Sequence, residues 1–158
     1  MTMRAAAHSA FRVAALFLVV LACACARQEP TAAFDPSRDA AKDVADAAAR
    51  AKAQGKRVIV DVGGEWCSWC HTMDAFIVAN ADLKSLIDSR YVWVKVNFSK
   101  ENRNEAFLSR WPSIEGYPHL FVLDGDGRLL HSQDTSELEA GKSYDKAKFL
   151  AFAQKWSS

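Results

Sequence analysis

The sequence predicts an α/β domain built on a central mixed β-sheet with helices on both faces. Three observations lead there. Helical and strand patterns alternate in the order α-β-α-β-α-β-β-α, and strands separated by helices pair in parallel. The turn Asp124-Gly125-Asp126-Gly127 joins the last two strands as a hairpin, which adds an antiparallel strand at one end. Half of the 158 residues are hydrophobic and a quarter are charged, a composition that suits one compact domain.

The N-terminus stands apart from that domain. Arg4 and Arg12 precede an apolar run from Val13 to Ala22, and the first acidic residue is Glu29. A basic start, about ten apolar residues and small residues after them read as an export signal over residues 1–26. The run is too short to span a bilayer comfortably. Two processing routes are open. Val20-Leu21-Ala22-Cys23 resembles a bacterial lipobox, in which Cys23 would be lipidated and become the mature N-terminus. Ala24-Cys25-Ala26 would instead serve as a small-x-small cleavage site that releases a soluble protein from Arg27. Either route places the protein in the periplasm, with a lipid anchor in the first case. Setting Arg4 and Arg12 aside leaves 18 basic against 19 acidic residues, a net charge of −1. With no basic run or stripe, nucleic acid is not an expected partner.

Residues 27–36, with Pro30 and Pro36, read as a tether, and residues 37–158 as the domain. Ser37 is a candidate cap for a first helix, with Asp39 adding negative charge to its first turn and Gly55 as its stop. Val44, Ala48 and Ala51 give that helix one buried stripe. Arg57 to Gly63 is β-branched and bounded by glycines, a buried strand. After Glu65-Trp66-Cys67-Ser68-Trp69-Cys70-His71 comes an amphipathic stretch with Met73, Phe76 and Ile77 on one side. Asn80 caps its continuation, which buries Leu83, Leu86 and Ile87. Tyr91 to Phe98 is the second strand. Glu101 to Trp111 reads as a polar-faced helix stopped by Pro112. Leu120 to Leu123 and Arg128 to His131 flank the hairpin turn. A loop over 132–144 leads to a last helix with Phe149, Phe152, Ala153 and Trp156 at helical spacing.

Cys67 and Cys70 are the only cysteines of the domain itself, which excludes a structural disulfide framework. A strand running into C-x-x-C at a helix start sets the first sulfur beside unpaired backbone N–H groups. Those groups and the helix dipole stabilise a thiolate there. The second cysteine lies one turn along and can close a disulfide with the first. Attack by one thiolate on a substrate disulfide, then displacement by the other, is the exchange this spacing permits.

The run Val60-Asp61-Val62-Gly63-Gly64-Glu65-Trp66-Cys67-Ser68-Trp69-Cys70 resembles the active-site strand and loop of thioredoxins. Ile114-Glu115-Gly116-Tyr117-Pro118-His119-Leu120-Phe121 is similar to their second hallmark, a cis proline ahead of a strand. The resemblance covers roughly residues 37–157 and implies a thioredoxin-like fold and a protein-disulfide oxidoreductase. It further implies that Cys67 attacks, that Cys70 resolves, and that Pro118 faces the disulfide. The Tyr117 backbone would pair with an extended substrate, and Trp66 would shield the sulfurs or else serve as core. Asp61 matches a buried acid that takes a proton during exchange; its other reading is a solvated strand aspartate. The implied partners are proteins bearing disulfides or thiols, and no cofactor is required. An exported reductant also needs a membrane electron donor for recharging, because its compartment is oxidising.

Three departures from thioredoxin bear on redox poise: the dipeptide is Ser68-Trp69, His71 follows the motif, and the loop 132–144 is longer. The dipeptide offers no cation to support a thiolate, so the expected role is reductant or intermediate exchanger. Two rival readings share the same residues. Cys67-Ser68-Trp69-Cys70-His71 also fits C-x-x-C-H, the c-type haem attachment motif, with His71 as axial ligand. Cys67, Cys70 and His71, with His119 following Pro118, also offer donors for a labile metal. His71 has two further readings, an imidazolium favouring a thiolate or a solvated residue on an exposed face.

Overall fold

The computed structural model describes residues 33–157. The export signal, Cys23 and most of the expected tether lie outside them. Helix α1 is Ala40–Gln54, strand β1 Arg57–Gly63, helix α2 Ser68–Ala79, helix α3 Ala81–Arg90 and strand β2 Tyr91–Asn97. A one-turn helix α4, Glu105–Leu108, precedes strand β3, His119–Leu123, and strand β4, Leu129–Asp134. A 3₁₀ turn Thr135–Leu138, a ribbon of β5 (Glu139–Ala140) and β6 (Ser143–Tyr144), and helix α5 (Lys146–Lys155) complete the order. Among the described residues no helix is long and apolar enough to cross a membrane.

The sheet order is β2-β1-β3-β4. β1 and β2 run parallel with Asp61 opposite Lys95, while β3 runs antiparallel to both β1 and β4. The alternation of helix and strand led to an expectation of parallel pairing for β3 as well, and that expectation fails for a geometric reason. Helices α2 and α3 carry the chain back across the sheet between β1 and β2. The segment 98–118 does not cross: β3 begins with His119 paired to Val62, at the end where β1 finishes. A strand that starts where its predecessor stopped has to run the other way.

Period-two alternation divides β1 between two cores. Val58, Val60 and Val62 face the Ala-rich stripe of α1, together with Val94, Val96 and Phe121. Ile59 lies in the second core with Met73, Leu83, Leu120, Phe149 and Phe152, beneath α2, α3 and α5. Each fully buried side chain of that size stabilises the fold by about 1.5–3 kcal/mol relative to exposure.

Three elements differ from expectation, the first two because short polar side chains bond locally. The cap of α1 is Asp39, whose carboxylate accepts the Lys42 N–H, while Ser37 bonds instead to Asp35. The helix expected over 101–111 shrinks to four residues. Upstream of it, Asn97 donates to the Asn102 carbonyl, Asn104 donates to the Asn97 carbonyl, and Asn104 adopts φ 49°. Asn and Ser compete here with helical backbone bonding. The expected loop 132–144 instead extends β4 and holds the β5–β6 ribbon, whose turn is set by Gly141 at φ 64°.

Candidate active site

β1 delivers the chain to Gly63 and Gly64, and Cys67 takes the N-cap position of α2 with extended dihedrals. Its Sγ accepts the Cys70 N–H at 3.1 Å, so a backbone donor meets the first sulfur. Cys67 and Cys70 form a disulfide with Cα atoms 5.3 Å apart. Cys70 is wholly buried, while the neighbouring Trp66 is 58 % exposed.

An aromatic rim borders the pair. The Trp66 indole N–H donates to the Phe98 carbonyl at 2.6 Å. The Tyr117 ring stacks on Phe98 at 4.9 Å and meets Trp66 edge-on at 5.6 Å. Tyr117 also packs against the cluster that holds both cysteines. The Tyr117–Pro118 peptide bond is cis, and the buried Pro118 presents its carbonyl to the Thr135 hydroxyl. From this rim a groove of about 410 Å³ runs past Leu108, Trp111, Pro112 and Ile114. On the other side, Trp69 meets Tyr144 of β6 edge-on at 5.6 Å, which ties the dipeptide to the β5–β6 ribbon.

Asp61 shares the second core face with Ile59 and is fully buried. Trp93 donates its indole N–H to Asp61 Oδ2 at 3.3 Å. Burial pushes the Asp61 carboxyl up to about 7; Lys95 opposes that rise, Asp74 adds to it and the Trp93 bond opposes it. The solvated reading of Asp61 is thereby set aside. Lys95, across the strand pair from Asp61, is itself buried and forms an ion pair with Asp74 of α2 at 2.5 Å.

The histidine rings bond to other partners. His71 is half exposed and its Nε2 lies 2.9 Å from the Glu65 carbonyl. The His119 ring sits against Phe121 and bonds Ser132 of β4 at 2.8 Å. Among the described residues no group of three or more His, Cys, Asp or Glu side chains could hold a metal ion. The metal-handling reading of Cys67, Cys70 and His71 has no support in this geometry.

Sequence reasoning missed Phe34, Lys95, Asp74 and Trp93. Phe34, assigned to the tether, is 1 % exposed and packs with Cys67 and Cys70. The signal for it was a lone aromatic in a polar, proline-flanked stretch.

A mixed sheet with helices on both faces, and a C-x-x-C disulfide at a helix start, define a thioredoxin-fold domain. A thioredoxin-like family model matches residues 39–125, more than half of the chain. The chain belongs to the thioredoxin-like family. The thiol:disulfide interchange protein DsbD of Colwellia psychrerythraea is 28 % identical over 92 residues, covering 58 % of this chain and 15 % of that protein. The chain thus spans about one seventh of that relative's length. The crystal structure of a disulphide isomerase from Xylella fastidiosa superposes with a TM-score of 0.67 at 24 % identity, over 79 % of this chain and 96 % of that one. The oxidised C-terminal domain of Neisseria meningitidis DsbD gives 0.58 at 21 % identity, over 79 % of this chain and 99 % of that one. Both likenesses establish the fold.

Proposed function

We propose that this domain is a thiol:disulfide oxidoreductase that acts on protein disulfides in the periplasm, as a reductant or intermediate exchanger. The observation that carries the reading is the Cys67–Cys70 disulfide at the first turn of α2, its N-cap sulfur receiving a backbone N–H. In the reduced protein the Cys67 thiolate attacks one sulfur of a substrate disulfide. A mixed disulfide forms and the other substrate sulfur leaves as a thiolate. Cys70 then attacks Cys67 Sγ, the mixed disulfide breaks, and the second substrate thiol departs with the electron pair. Two electrons pass to the substrate, and the protein returns to the disulfide form. Asp61, with a carboxyl near neutrality, is suited to take the Cys70 proton. Trp66, Tyr117 and Pro118 form the surface against which an extended substrate would lie.

Support for the compartment comes from the basic and apolar N-terminus and from the thiol:disulfide interchange relatives. Recharging by a membrane electron donor follows from an oxidising compartment. If Cys23 carries a lipid, residues 24–33 reach at most about 35 Å when extended, which would hold the domain near the membrane surface.

Two measurements test this reading. Equilibration against glutathione buffers should give a potential between about −270 and −180 mV, and a value near about −120 mV would overturn the reductant assignment. Cells expressing the unaltered gene should incorporate labelled lipid into the protein, and Cys23→Ala should block it. A soluble product beginning at Arg27 would instead establish simple secretion.

A further inference from the structure

Phe34 precedes the stretch that the family model covers, yet it sits at the sulfurs. A Cβ placed on Gly63 would lie 2.5 Å from Cys70 Sγ and 3.0 Å from the Phe34 ring. The ring therefore fills the space that a side chain at the end of β1 would otherwise occupy. Its backbone is fastened there: the Phe34 N–H donates to Glu65 Oε1 at 2.9 Å, and Asn102 donates to the Pro36 carbonyl at 2.9 Å. The ammonium of Lys95 lies 4.4 Å from the ring centroid, and that side chain is only 7 % exposed. One aromatic ring thus covers the second cysteine and the lysine that faces Asp61 across the sheet.

We propose that Phe34 is a positioning residue of the redox centre, the wall that keeps water from the buried side of Cys70 and from the Lys95 ammonium. The proposal rests on the disulfide-exchange reading and adds to it a part supplied by the N-terminal segment. A thiol enclosed by apolar groups resists ionisation, because a thiolate there loses its hydration. Cys70 consequently stays protonated in the reduced protein until it resolves a mixed disulfide. The thiolate at neutral pH is concentrated on Cys67, at the helix start. The charged groups around the enclosure are Asp61 of β1, Lys95 of β2, Asp74 of α2 and Glu65 of the loop. A ring that both packs on Cys70 and caps Lys95 stands between those two groups and solvent, while the carboxylates of Asp74 and Glu65 remain exposed to it. Space-filling alone gives no reason for the segment to be hydrogen-bonded at Glu65 and Asn102.

The test is the alkylation rate of each cysteine by iodoacetamide in the reduced protein, read by peptide mass spectrometry across pH 6–9. Phe34→Ala should raise the Cys70 rate about tenfold relative to Cys67 at pH 7, the effect of a one-unit fall in its thiol pKa. The pH midpoint for Cys70 should move down correspondingly, and Phe34→Leu, which keeps an apolar wall, should restore most of the protection. If Phe34→Ala does not fold, Phe34→Val is read in the same way, with a smaller rise expected. An unchanged Cys70-to-Cys67 ratio in a folded variant overturns the proposal. An equal rise at both cysteines also overturns it, since that reports a loosened fold. The measurement needs no protein substrate, so it stands apart from any failure of exchange activity in the unaltered protein.

Discussion

Cys67→Ser should bring reduction of a model protein disulfide to background, while Cys70→Ser should accumulate a covalent mixed disulfide with the substrate. The asymmetry follows from where each sulfur sits. Cys67 Sγ is at the N-cap, takes the Cys70 N–H at 3.1 Å and adjoins the exposed Trp66. Cys70 is enclosed by Gly63 and Phe34. A serine hydroxyl is neither ionised near neutral pH nor able to form an S–S bond, so no first step remains. Serine is also a favourable N-cap, so Cys67→Ser leaves α2 capped and the loss reports chemistry and not unfolding. In Cys70→Ser the first attack persists without a resolving sulfur, and the adduct should survive in non-reducing gels. Full turnover by Cys67→Ser would remove the proposed mechanism. Adducts formed by Cys67→Ser and absent from Cys70→Ser would invert the two roles.

Those two sulfurs were legible in the sequence because the devices that place them are local. β1 is a β-branched run between glycines, Cys67 follows it after three residues, and the hairpin turn is written in four consecutive residues. Their surroundings depend on residues distant in the chain. Lys95 reads as an ordinary polar strand residue, and its pairing with Asp74, 21 positions earlier, helps make its burial tolerable. Trp93 looks like strand packing until register sets it beside Ile59 and turns its indole N–H to Asp61. Phe34 is separated from Glu65 by 31 positions, and its neighbours in sequence are those of a linker. The polar segment 98–104 misled for the opposite reason. A helix was expected from Glu101 onward, but the serine and asparagine side chains here captured the backbone first.

Asp61 should govern how stability changes between mildly acid and neutral pH. Its carboxyl is fully buried in an apolar layer, and desolvation raises it from 3.8 to about 7. Between those values the unfolded chain has released the proton and the folded protein still holds it. The stability contribution is therefore complete below about pH 4 and declines as pH rises, by about 1.4 kcal/mol per pH unit. The decline ends near pH 7, where the folded protein also loses the proton, after about 4 kcal/mol in all. Asp61→Asn places a neutral group of the same shape there and should remove the slope. Urea unfolding of the oxidised forms at pH 4.5, 6 and 8 would then show the two proteins diverging, with the variant relatively more stable at pH 8. Asp82, Asp124 and Asp134 shift the other way, each held low first by hydrogen bonding, from Lys146, Arg128 and Ser136 respectively. Their contributions are present above the ordinary carboxylate range and fade as pH falls below it, so they are common to both proteins and cancel in the difference. Parallel pH profiles for the two proteins would mean that Asp61 titrates in the fold much as it does in water. It would then have no special claim to take the proton from Cys70 at neutral pH.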